Sequence, residues 1–335
     1  MRVLALALVV AAGQGCATLG PVETEPPVLP TSGVGPFRAL EPEEVRTTAP
    51  FVLDDGDALY REPAVMREGD ATVLYAVARA PAGADVIVRT RALDARTFTT
   101  PPRVVLAPEG DERALGGPAV VRRGAEVLLY YATASGIRLA RSTDGLGFTR
   151  AGPVLGADPS STWETTPPRA PSVVILPDGR LRMFYAAGIA IGEAESTDGV
   201  AWRRRGPVLA PAAPVDPAGR PPFDAAAVGD PCAVLRITPA GRLHVRVLYT
   251  GVDASGATAI GFAGRFGEDG PLARQPVPAF TAGAAPALLD LGDRSFLYVE
   301  DERREGAAPG HAALAAALAP ATATLPPPVD PPAGP

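Results

Sequence analysis

Carboxylates recur at one kind of place in this chain: at, or a few residues before, a proline that opens an apolar run. Glu62 and Asp230 stand directly before Pro63 and Pro231. Glu112, Glu164 and Asp224 come six or seven residues before Pro118, Pro171 and Pro231. Asp54, Asp55, Asp57, Glu109, Asp111, Asp158 and Asp216 fall in the same loops. Two arginines, Arg61 and Arg169, also stand just ahead of such prolines. If the fold gathers these loops at one end, acids from distant segments face one another. Glycosidic bond cleavage needs that arrangement, an acid and a base on either side of a sugar ring.

The elements that must position these residues are legible as a repeat. Residues 137–155 and 191–209 are identical at eleven of nineteen positions, at a spacing of 54. Each copy is an alternating run, an Asp-Gly turn, an aromatic (Phe148, Trp202) and a Gly-Pro-Val-Leu strand, which predicts a β-hairpin. Before each copy a proline opens an apolar run, followed by a turn and a second run ending in an aromatic. Pro63, Pro118, Pro171, Pro231 and Pro286 mark five such phrases, 55, 53, 60 and 55 residues apart. Four short strands per unit, five units and almost no helical period predict an all-β, five-bladed β-propeller. The first strand of each blade is expected to be the most uniformly buried, next to the axis. Residues 49–53 match the fourth-strand phrases although they precede blade one, so the N-terminal segment is expected to complete the last blade and close the ring. The expected boundaries are a propeller over 37–319 and a Pro/Ala tail over 320–335.

Bulk properties narrow the function. The net charge of −6 over 335 residues gives no basic face for nucleic acid. The first twelve residues carry one arginine and then an apolar run, ending at Gly13-Gln14-Gly15-Cys16. That predicts an export signal over 1–16, resembling a bacterial lipoprotein site with Cys16 as the lipidated residue, and a Pro-rich tether over 17–36. An exported protein of the cell envelope, reaching the membrane through its lipid alone, is the expectation. Cys232 then has no disulfide partner and reads as a small buried hydrophobe. With only His244 and His311, a histidine metal site or triad is not supported, and no phosphate loop, zinc cluster or nucleophile elbow is present. No cofactor and no metal are expected, and a closed ring predicts a monomer.

The acid-Pro-apolar phrases and Ile191-Gly-x-Ala-x-Ser-x-Asp-Gly-x-x-Trp202 resemble the five-bladed propeller glycosidases, the invertase, levansucrase and arabinanase-xylosidase group of families 32, 68 and 43. The likeness spans roughly residues 48–318 and implies a carbohydrate partner. It places the blade-one base or nucleophile on Glu62. It places the blade-two aspartate on Gly117 and the blade-three general acid on Arg169, neither of which is acidic. The resemblance therefore leaves Glu62, with Glu164 or Asp230, as catalytic candidates. Arg61, Glu112, Trp163, Arg169 and Asp224 are the substrate-binding candidates, Trp163 as a stacking surface. Competing readings of the same residues are an ion-paired plug of Arg61, Glu62 and Arg169, turn-capping by Asp224 and Asp230, and packing by Trp163. Trp202 and Phe148 are expected between blades, and the charge run 300–305 is expected to form a solvated loop, with a place in the funnel wall as its alternative.

Overall fold

Alternating Val, Leu, Ala and Tyr, broken by Gly and Asp turns, give antiparallel strands throughout, and the only helix among the described residues is Pro42–Val45. The computed structural model describes residues 37–45, 51–53, 59–80, 83–98, 100–213, 219, 221–238, 241–291, 294–301 and 313–320. The expectations for Cys16, the tether, Asp54, Asp55, Asp57, Asp216, His311 and the tail beyond 320 lie outside them.

The strands form a five-bladed propeller. Blade one is Tyr60–Glu68, Ala71–Arg79, Asp85–Ala92 and Arg103–Leu106; blade two is Gly116–Arg123, Glu126–Thr133, Gly136–Ser142 and Thr149–Gly156. Blade three is Arg169–Ile175, Leu181–Ala187, Ala190–Ser196 and Arg203–Leu209, and blade four is Ala227–Ile237, Leu243–Val252, Thr258–Phe266 and Ala273–Arg274. Blade five has Ala284–Asp290, Arg294–Asp301 and Ala313–Pro320, completed by Phe51–Leu53, whose Phe51 pairs with Ala315. Arg38–Ala39 pairs with the same strand further along. The ring closes as expected, by a strand from the opposite end of the sequence. Pro320, placed in the tail by sequence, ends the last strand opposite Arg294.

Burial corrects one expectation. In blades one to four the second strand is the most uniformly buried, Leu181–Ala187 at every residue, whereas in blade five the first strand keeps that place; each first strand has partly exposed residues near its start. The reason is geometric. A second strand is covered by neighbours in its own sheet and by the adjoining blades, while the first strand begins at the channel mouth.

Adjacent blades are joined by a recurring latch. Asp144 Oδ1 accepts the N–H groups of Leu146 (2.8 Å) and Gly147 (3.0 Å), and Ser142 Oγ accepts that of Gly145. Ser196 and Asp198 repeat the turn, and Asp94 makes a third version with Arg96 and Thr97. A buried carbonyl of each turn takes a tyrosine hydroxyl from the preceding blade: Tyr75 on Gly145 (2.9 Å), Tyr130 on Gly199 (3.0 Å) and Tyr298 on Ala95 (2.6 Å). Phe148, Trp202 and Phe98 pack edge-on against those same tyrosines, as an inter-blade role requires. Tyr75→Phe, Tyr130→Phe and Tyr298→Phe should each cost about 1 kcal/mol of stability, since each leaves a buried carbonyl without its donor. The three changes should add nearly independently in urea melts, because they share no partner.

Candidate functional site

The residue before each of the five prolines adopts a left-handed backbone: Glu62 (φ 49°), Gly117 (47°), Ala170 (45°), Asp230 (45°) and Ala285 (47°). Four of these are not glycine, in a conformation that side chains and a following proline both disfavour. Each coincides with a register shift in its first strand, as between Arg61 and Ala64 or Gly229 and Cys232. The shift turns the chain so that all five residues, with their prolines, ring one cavity at the channel mouth. The cavity holds about 30 Å³, and among the described residues Glu62 and Asp230 are its charged lining residues.

Around this ring the charges are unevenly spread. Glu62 accepts the N–H of Gly117 in a short hydrogen bond, and its own N–H goes to Glu300 Oε2 at 3.2 Å. Arg169 donates to Asp230 Oδ1 at 2.9 Å, and Arg61 donates to Asp85 Oδ2 at 2.9 Å. The plug reading therefore holds in part: Arg169 is paired, but with Asp230, and Arg61 is turned to its own blade. Blade two contributes no charged side chain, only Pro118 and Ala119 beside Gly117. A Cβ on Gly117 would stand 2.7 Å from the Ala170 Cα, so an acid cannot be placed there without moving blade three. Carboxylates accordingly occupy an arc over blades four, five and one (Asp230, Glu300, Glu62), facing glycine and arginine on blades two and three.

The other sequence candidates lie elsewhere. Glu164 is buried, accepting the Tyr185 hydroxyl at 2.7 Å and Arg204 Nε at 2.9 Å. Glu112 does the same with Tyr131 (2.7 Å) and Arg150 (2.8 Å), and Asp224 with Tyr249 (2.8 Å) and Arg274 (2.9 Å). These are three copies of one clasp that ties an inter-blade loop to its blade. None of the three carboxylates borders the cavity. Trp163 packs on Tyr185 and over Gly192, where a Cβ would come within 2.2 Å of the indole. Phe223 stacks on Tyr249 in the matching place. Cys232 is buried and accepts the Leu288 N–H at 3.3 Å, and among the described residues no group of three or more His, Cys, Asp or Glu is placed to hold a metal ion.

Glu300 is the residue that sequence reasoning assigned to a solvated loop. It lies in a strand, opposite Ala284, at the register position that Val77, Ala132, Ala186 and Thr250 occupy in blades one to four. Aligning the five units on this register exposes one glutamate among small or aliphatic residues, a signal that composition alone hides.

Neither a family model nor a curated protein matches the chain. Solved structures do. A protein of Bacteroides thetaiotaomicron described as a candidate glycosidase superposes with a TM-score of 0.59 at 15% identity, over 85% of this chain and 94% of its own. A thermostable family-43 glycoside hydrolase gives 0.57 at 16%, over 78% and 89%. A β-1,2-mannobiose phosphorylase of Listeria innocua, in complex with β-1,2-mannobiose, gives 0.57 at 14%, over 80% and 92%. The fold is a glycosidase-type propeller. At these identities the likeness extends to the fold alone.

Burial, reinforced by the Asp230 charge and opposed by the Gly117 N–H, raises the Glu62 carboxyl above the ordinary range. Burial, with the charges of Glu62 and Asp230, pushes Glu300 up to about 7. A carboxyl raised in the folded state holds its proton longer there than in the unfolded chain. Stability should therefore fall as pH climbs from about 4.5 to about 7. Glu300→Gln should flatten that slope and stabilise the protein above pH 7 by on the order of 2 kcal/mol, measured by urea unfolding at pH 5 and pH 8.

Proposed function

We propose that this protein is a carbohydrate-directed propeller that binds a glycan at the channel mouth through Glu62, Asp230 and Arg169. The observation that carries the reading is the ring of five pre-proline residues, which brings two carboxylates from blades one and four to a single cavity. The fold's structural neighbours include proteins described as glycoside hydrolases and one holding a disaccharide. Binding without hydrolysis is the form we favour. Gly117 and Arg169 stand where the resemblance calls for acids, and Glu164 is committed to Tyr185 and Arg204.

One observation favours hydrolysis as a second reading. Glu300 stays protonated up to about pH 7 beside two further carboxyls, which suits a general acid. A glycan array with wild type, Glu62→Gln and Asp230→Asn separates the two. We expect wild-type binding that both variants reduce at least tenfold, with no turnover of aryl glycosides; turnover abolished by Glu62→Gln would instead establish the hydrolase.

Export and lipidation at Cys16 belong to the same reading, supported by the apolar run and the small residue before the cysteine. Cys16→Ala should shift the protein from the membrane to the soluble fraction and abolish labelling by a palmitate analogue.

A further inference from the structure

The cavity is too small for a pyranose. Its volume of about 30 Å³ accommodates one or two water-sized groups, so a sugar resting on the mouth can insert only a substituent. The walls are chiefly prolines and alanines, and among the described residues the charged groups lining it are the carboxyls of Glu62 and Asp230. Among the described residues the cations near the mouth, Arg61 and Arg169, are already engaged by carboxylates. Arg61 is held by Asp85 and Arg169 by Asp230, and among the described residues no arginine forms an ion pair with Glu62 or Glu300. Among the described residues four carboxyl groups, counting Asp85, are thus set against three guanidinium groups, since Asp85 also pairs with Arg79 at 2.6 Å. A hydroxyl would leave this imbalance untouched, whereas an ammonium would offset it at short range in a partly desolvated place.

We infer that the substituent received between Glu62 and Asp230 is a protonated amine, so that the glycan is one carrying free, non-acetylated amino sugars. This rests on the carbohydrate reading of the mouth and narrows it to a substrate class. An N-acetyl group fails on both counts, since it carries no charge and exceeds the space. The raised carboxyls of Glu62 and Glu300 agree with it, because both report a shortage of positive charge that a bound ammonium would relieve.

The test is calorimetric titration of the full chain with a glucosamine hexamer, the matching N-acetylglucosamine hexamer and hexalysine, in 0.15 M salt. We expect the glucosamine hexamer to bind at least tenfold more tightly than either other probe. Glu62→Gln and Asp230→Asn should each reduce that preference to within about threefold, with thermal unfolding confirming that the variants are folded. Should Glu62→Gln not fold, Asp230→Asn carries the test, since asparagine tolerates left-handed backbone. Equal affinity for the two hexamers would overturn the amine inference while leaving glycan binding standing. Hexalysine binding as tightly as the glucosamine hexamer would overturn it as general attraction to an acidic protein. Failure of every glycan to bind, here and on the array, would remove the carbohydrate reading as well.

Discussion

A left-handed residue jammed against a proline, repeated five times, is the constraint around which this propeller is arranged. At each first strand the chain takes one extra residue out of register, and that residue lands on the rim of the axis. Backbone in this region costs of order 1–3 kcal/mol for a residue with a side chain. Glycine would remove that cost, yet only blade two uses it. There the reason is crowding: the Gly117 Cα faces the Ala170 backbone closely enough that no Cβ fits. At the four other positions the strained residue carries a side chain, two of them acidic.

The remaining acids illustrate how burial decides what a carboxylate can do. Glu112, Glu164 and Asp224 are each buried, and each has acquired a tyrosine hydroxyl and an arginine as partners. A buried carboxylate with such partners is held in place, because removing any member strands a charge away from water. These groups anchor loops. Glu62, Asp230 and Glu300 sit only half-buried; Asp230 is ion-paired with Arg169, whereas among the described residues no arginine forms an ion pair with Glu62 or Glu300. The proposed binding role accordingly falls to the acids at the mouth, where Glu62 and Glu300 are the ones that no arginine neutralises by direct pairing among the described residues.

How far the sequence could be read follows from the same distinction. The hairpin repeat, the five prolines and the displaced outer strand are local or periodic signals, and the blade count and ring closure follow from them. Glu62 and Asp230 were recognisable because each precedes a repeat proline. Glu164 and Trp163 looked like site residues because their loop is acidic and lies near the channel. Their real partners, Tyr185, Arg204 and Gly192, are 21 to 40 residues away along the chain and reachable only through sheet register. Glu300 escaped for the converse reason. It begins a run of charges that reads as solvent-exposed loop, yet register sets it opposite Ala284, at the mouth.

The arc of acids also explains why the ring need not be symmetric to function. Blades four, five and one supply the negative side; blades two and three supply a glycine pair and an arginine. Gly116 and Gly117 keep that side low, since even a Cβ at Gly116 would approach the Glu62 carboxylate to 3.1 Å. A ligand can thus lean in over blade two and meet the carboxylates face on, with Arg169 holding Asp230 in place at the border between the two sides. An arginine where a proton donor would otherwise stand cannot give up its proton at neutral pH. It can fix the neighbouring Asp230 carboxylate, and the proposed binding role without hydrolysis rests on that contrast.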